Sequence, residues 1–598
     1  MTDKVAEIRS QLGIEDKAAS IVNLWENWNN QRQEWLHEKE ELLRYIHATD
    51  TSTTSNKALP WKNSTTIPKL TQIRDNLHTN YMASLFPNEK WLTWQAYDQE
   101  SASQDKAKVI VSYMSNKLRE SSYEDTVSQI VLDYIDFGNA FFTADYETRY
   151  NVRNEEIIPS YVGPKSVRIN PLDIVFNPTA SDFRNTPKII RSRKSIGELL
   201  KLAKTSPENS FWLEAVKRRQ KVREVMSNCN VDDFIKANLF TADGFGDMNE
   251  YYKGDIVEIL EFYGDFFDPN AENLEDALKE GVVITVVDRS MVVREEKINT
   301  YDGRDKIRHI GWRKRNGNLW AQGPLDNLVG MQYRLDHLEN AKADAWDLAI
   351  HAPLKIIGDV EEFLWGPGCE IHLDEGGDVQ EVVKNLSAII TADNQMEIIM
   401  SLMELMAGAP REAMGVRSPG EKTAFEVQVL DNAASRIFQS KVKHIETMGL
   451  EPNINDMFEL AHLNMEEGTE NIRIMDNDLG ATIFQQITKA DITAKGVLRP
   501  IGARHFAQKS NELQSIIGVL NSRAGDIIAP HTSGINLARF IEDVTDIRGY
   551  KIFRPNVAIM ENQETQALAG QAQEENMMAA EAPMFEDAVE GLDEQDID

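Results

Sequence analysis

Cysteine is almost missing: Cys229 and Cys369 are the only two in 598 residues, far apart and without a CxxC pattern. No disulfide framework or zinc site follows from such a pair, and synthesis in a reducing cytosol is expected. Long apolar runs are missing as well. The stretch Gly281 to Val287 falls far short of the roughly 20 residues a membrane helix needs, so no membrane partner is expected. The opening Met1-Thr2-Asp3-Lys4 lacks a basic-then-apolar signal pattern, which predicts an unexported protein.

The signatures of catalysis are absent too. There is no GxxxxGK[ST] loop, HExxH, GxSxG or EF-hand loop. The eleven histidines are scattered, and His337, His351 and His444 fall on expected helices with no second ligand at i+3 or i+4. Lone helical histidines of this kind read as surface or satisfied core residues. Asp243 to Asp247 lacks the ligand spacing and closing glutamate of a calcium loop and reads as a turn. Asp232-Asp233 is one of many carboxylate pairs in an acidic chain. No catalytic residue, metal or cofactor is assigned, and an enzyme is not expected.

Positive charge is in short supply: 64 Lys and Arg stand against 96 Asp and Glu, a net charge of −32. Such a surface repels bulk nucleic acid, which argues against tight phosphate-driven binding by the whole molecule. It remains compatible with a wall that DNA slides past, and equally with charge that serves solubility alone. A hydrophobic share of 41% and a charged share of 27% are ordinary for a globular protein, and the length predicts three or four folding units.

Along the chain, residues 1 to about 50 read as helical, with Trp25, Trp28, Trp35 and Leu42 spaced among polar residues. A helix is expected from Pro68 to Phe86-Pro87, with Leu70, Ile73, Leu77 and Tyr81 as its stripe. Another runs from about Glu124 to Phe137 and stops at Gly138. Strands follow at 140–144, 166–169 and 188–192, then helix to about 240. Asp255 to Tyr263, Val282 to Val287 and Ser290 to Arg294 predict a compact β-rich insert ending near Gly323. A long helix from Leu325 to Ile350 keeps three- and four-residue steps through Leu328, Met331, Leu335 and Leu338. That spacing suits packing beside copies of itself, or burial against its own subunit.

From about 389 a helix carries Met396, Ile399, Met400, Met403 and Met406. The loop 407–420 follows, rich in Gly, Pro and Ala, with Arg411 and Arg417 on it and Lys422 just beyond. Thr423 and Glu426 have capping-box spacing and predict a helix to about Met448, interrupted by Gly449 to Pro452. After Met560 the tail holds twelve Asp and Glu and no Lys or Arg, the composition of a disordered segment.

Three stretches in this order carry a family resemblance: Ile67 to Leu92, where a helix ends in Leu85-Phe86-Pro87 before Trp91; Trp320 to Ile350, where Gly323-Pro324 leads into the long helix; and Ala409 to Leu430, where Gly420-Glu421-Lys422-Thr423-Ala424 follows the loop. Together they resemble the portal proteins of tailed bacteriophages, particularly the head-to-tail connectors of short-tailed phages. The resemblance spans much of residues 60 to 450.

It implies a mixed α+β, predominantly α, portal fold with wing, stem, clip and crown regions, assembled as a ring, usually of twelve copies, around a central channel. Mapped onto this chain, it gives 1–204 as wing, 205–252 as the first stem helix region, 253–322 as clip and 323–351 as the second stem helix. Residues 352–480 become wing with the channel loop 407–422 and the long helix 423–448, then 481–560 crown and 561–598 an acidic tail. Leu328, Met331, Leu335 and Leu338 become inter-subunit stem residues, and Arg411, Arg417 and Lys422 DNA-facing channel cations. Implied partners are further copies of the chain, double-stranded DNA, the terminase large subunit, tail adaptor and tail tube proteins, and major capsid and scaffolding proteins. The implied location is the portal vertex of the virion, after synthesis in the bacterial cytoplasm. Another phage structural protein, such as a tail adaptor or capsid-associated protein, and a metal-dependent nucleic-acid-processing enzyme are the alternatives.

Overall fold

The computed structural model of the protein describes residues 16–47, 63–87, 91–98, 104–153, 156–205, 211–228, 254–268, 277–350, 354–358, 376–381, 387–408, 437–465, 470–476 and 481–502. The chain divides into two compact units, residues 1–473 with 485–504, and residues 474–484 with 505–598. Nearly all of the second unit lies outside the described residues. The first is mixed α+β, with helix outweighing strand among the described residues.

Helices α1 (Asp16–Gln31) and α2 (Gln33–Ile46) are one amphipathic run interrupted at Arg32. Trp25, Trp35, Leu42 and Tyr45 occupy the buried side. Arg32 is buried too, and its guanidinium donates to the carbonyls of Pro171, Leu172 and Ile174, which the interior would otherwise leave unpaired. In α3 (Lys69–Leu85), Pro68 sits at the N-cap and Leu70, Ile73, Leu77 and Tyr81 are buried, as their spacing predicts. Strand β1 (Leu92–Ala96) and helix α4 (Gln104–Glu120) lead to α5 (Tyr123–Asp136). Gly138 then turns the chain out of α5 with φ +70°, and a Cβ at this position would lie 2.3 Å from the Gly323 amide nitrogen.

Two antiparallel sheets form the body. In the first, β2 (Asn139–Arg153) and β3 (Glu156–Ile169) make a long hairpin, and β9 (Ile307–Gly311) pairs with the other edge of β2. The second has the order β4 (Ile174–Phe176), β5 (Lys188–Ser195), β6 (Ile256–Phe267), β7 (Leu278–Val287) and β8 (Met291–Lys297). Trp25 packs on this second sheet with Val175, Ile189, Leu260, Phe262 and Ile284. A second core gathers Trp35, Phe137, Phe141, Phe176 and Trp320, with Trp35 and Trp320 ring centres 4.3 Å apart. Beyond β9 comes a short hairpin, β10 (Arg313–Arg315) and β11 (Asn318–Gln322).

Several boundaries differ from expectation. Residues 253–322 are not a separate insert: β6, β7 and β8 continue the sheet begun by β4 and β5, and β9 completes the other sheet. β4 covers only three residues of one edge of β5, and β6 satisfies the backbone groups of the opposite edge from Lys188↔Tyr263 to Ser195↔Ile256. Periodicity reveals a strand without revealing its neighbour. Residues 205–252 were assigned a stem helix, yet their described part, α7 (Phe211–Asn228), packs on α6 (Ile196–Thr205) and β8. There Arg219 is fully buried 2.9 Å from Asp288.

The helix over 437–445 is not broken at Gly449 to Pro452. It passes through one π-helical turn, Glu446–Leu450, into α10 (Glu451–Asn464). Pro452 falls directly after the π-helical turn, whose extra residue already interrupts the regular backbone ladder where the proline lacks a donor. A crown beginning at 481 also conflicts with the pairing of β14 (Gly496–Pro500), which runs antiparallel to all of β1, from Leu92↔Pro500 to Ala96↔Gly496.

Candidate functional site

Helices α8 (Val329–Ile350) and α9 (Ser387–Ala407) pack on each other, and the antiparallel strands β12 (Leu354–Ile357) and β13 (Asp378–Glu381) lie on the chain between them. The helices run in opposite directions. Lys342 of α8 meets Asp393 at 3.1 Å, while the neighbouring residues Ile67 and Lys69 reach Asp336 and Glu404. Six residues forward on α8 therefore correspond to eleven backward on α9.

One face of α8 is a polar ladder that holds an extended segment. Asp344 accepts from the Asn63 backbone at 2.8 Å, Asn340 exchanges hydrogen bonds with the Thr65 backbone at 2.6 and 2.9 Å, and Asp336 accepts from Ile67 N–H at 2.9 Å. Gln332 closes the row by donating to the Ile67 carbonyl at 2.6 Å. The match is geometric: four helical residues rise about 6 Å, and two extended residues span about 6.6 Å. Burial pushes the Asp336 carboxyl pKa upward, against the lowering effect of the bonds from Ile67 and Gln332. Next to the ladder, Lys69 and Glu404 form an ion pair at 2.5 Å with both side chains buried, which fastens α3 to α9. Lys39 pairs with Asp326 at the foot of α8, and burial pulls its pKa down despite that partner.

Sequence reasoning missed this ladder, although polar residues at every fourth position, Gln332, Asp336, Asn340 and Asp344, are its signal. The apolar residues chosen instead behave differently. Leu328 and Leu335 are fully buried inside their own subunit, so neither is available to a neighbouring copy. Met331 and Leu338 are half-buried.

The uncovered apolar surface lies elsewhere on the hairpin. On α9, Met396, Ile399, Met403 and Ala407 are buried, while Ile398, Leu402, Leu405 and Met406 form a second stripe facing outward, with Leu405 62% exposed. On α8, Trp346 is 49% and Ile350 64% exposed and Tyr333 is exposed too, as are Ile356 and Ile357 on β12. A helix apolar on two sides needs a second covering surface. Gly408, with φ +75°, ends α9. Arg411, Arg417 and Lys422 lie outside the described residues, as does the capping pair Thr423 and Glu426.

Among the described residues no group of three or more His, Cys, Asp or Glu is placed to hold a metal ion, and no helix is long and apolar enough to cross a membrane. No protein-family profile matches the chain, and no curated protein is detectably similar to it.

Proposed function

We propose that the protein is the ring-forming subunit of a phage portal, the head-to-tail connector through which the genome is packaged by the terminase and later ejected. The observation that carries this reading is the second apolar stripe of the α8–α9 hairpin. A single copy leaves Trp346, Ile350, Ile398, Leu402 and Leu405 in water, and identical hairpins standing side by side would cover them at about 25 cal/mol for each Å² buried.

The portal pattern places one stem helix before the clip and one after. α8 and α9 suit those two positions, with residues 351–386 between them as clip, in place of the sequence assignment of 205–252, 253–322 and 323–351. The connecting residues carry eight Asp and Glu against two Lys. That balance agrees with a duct that does not adhere to DNA phosphates. Terminase, tail adaptor, capsid and scaffolding proteins are the partners this reading assigns, with the portal vertex as the location and Arg411, Arg417 and Lys422 as channel-loop cations.

Replacing Leu402 and Leu405 together by Glu tests the reading. Both side chains are outside the subunit core, so the variant should melt within about 1 kcal/mol of the parent stability. In sedimentation velocity it should remain a single subunit where the parent chain assembles. Assembly unchanged by the two charges would remove the α8–α9 flank as the interface.

A further inference from the structure

In a chain with 32 more acidic than basic residues, a group of cations without carboxylate partners is unusual. One such group centres on the β10–β11 hairpin. Arg313, Lys314 and Arg315 are consecutive and all exposed, next to a turn through Asn316 and Gly317. The preceding Trp312 is buried, and its indole lies 5.1 Å from the Arg313 guanidinium and 4.5 Å from the Lys441 ammonium. Lys441, on the helix over 437–445, also donates to the Trp312 carbonyl. His444 lies one turn further on the same side of that helix.

None of Arg313, Lys314, Arg315 and Lys441 forms an ion pair among the described residues. Elsewhere in the unit several cations sit on buried carboxylates: Arg308 on Asp456, Arg289 on Glu258, Arg168 on Asp133. Burial, then the charge of Arg313, lowers the Lys441 pKa. Burial, then Lys314 and Lys441, lowers that of His444. These positive groups repel one another, and among the described residues no anion lies between them.

We infer that Arg313, Lys314, Arg315 and Lys441 form a contact site for the phosphate backbone of duplex DNA. The hairpin offers charge and little apolar surface, because Trp312 is turned inward, and beside Lys441 the exposed apolar neighbour is the single side chain of Ile437. A line of phosphates can be held by charge alone, whereas a protein partner needs an apolar centre that is lacking at this hairpin. The inference concerns a single subunit and does not depend on ring formation.

The test is fluorescence anisotropy with the full chain and a labelled duplex of about 20 base pairs, between about 50 and about 200 mM salt. The variant carries Arg313→Gln, Lys314→Gln and Arg315→Gln, all on the exposed strand β10. It should bind about tenfold or more weakly at the lower salt, with the slope of log K against log salt reduced by about two to three. A charge-retaining variant, Arg313→Lys with Arg315→Lys, should bind like the parent chain. Equal affinity and slope for the glutamine variant, or no binding of the parent at the lower salt, would overturn the inference. So would polyglutamate binding the parent as tightly as the duplex does, since that outcome assigns the patch to an acidic peptide.

Discussion

At His309 the imidazole stacks on Phe141, with ring centres 4.7 Å apart, and its Nε2 lies 2.9 Å from Asn139 Oδ1. That oxygen already accepts from Ala321 N–H, and the Asn139 amide nitrogen donates to the Phe137 and Ala321 carbonyls, so Nε2 carries the ring proton. Burial, helped by the positive charges of Lys314 and His444, pulls the pKa from 6.5 to about 3. The unfolded chain gains a proton below pH 6.5 that the folded chain refuses. Stability from the neutral ring is therefore complete above that pH and falls by about 1.4 kcal/mol per pH unit on the way down to 3. Between pH 7 and pH 5 this amounts to about 2 kcal/mol, and His309→Gln should remove that share of the loss in urea unfolding. An equal acid loss in the variant would contradict the assignment. Gly138 is constrained by its backbone: Gly138→Ala combines an unfavourable φ with a clash on Gly323 and should cost about 1–3 kcal/mol or more in thermal unfolding.

Among the elements, those whose residues face a single core were legible in the sequence. The stripe Leu70, Ile73, Leu77 and Tyr81 placed α3, and Ile130, Val131, Tyr134 and Ile135 placed α5, because burial on one side imprints its period on the chain. Pairings were not legible. The Val282 to Val287 strand announces itself, but nothing in its composition says that its sheet continues through β6 to β5. Gly449 and Pro452 signal a break that a π-turn absorbs. At the candidate site, helix α8 was foreseen while the environment of its faces was not: Leu328 and Leu335 turn inward, and the polar ladder went unread because its partner is backbone. Asn340→Ala removes both bonds to Thr65 and should cost about 1–3 kcal/mol. Hydrogen exchange at Thr65 should rise with it, and unchanged protection there would show that the ladder does not hold the segment.

At the scale of the whole molecule, charge and apolar surface act in opposite directions. A net charge of −32 disperses copies of the chain, and only contacts that bury apolar surface overcome that repulsion. The hairpin flank supplies such a surface, whereas the basic hairpin at Arg313 to Arg315 is too small to alter the overall balance. Assembly should accordingly strengthen with salt, which screens the repulsion over about 10 Å at 0.1 M and leaves apolar burial in place. Duplex binding at the basic patch should weaken with salt. Opposite salt dependence of the two events, followed by sedimentation and anisotropy in the same buffers, separates them, and a common dependence would mean that they share one surface.

Closure of identical copies around an axis is tested most directly by class-averaged electron images of the purified full chain. Closed rings with an open centre, lost when Leu402 and Leu405 carry Glu, are the result the account predicts. Single subunits or open, irregular chains at every protein and salt concentration would contradict it.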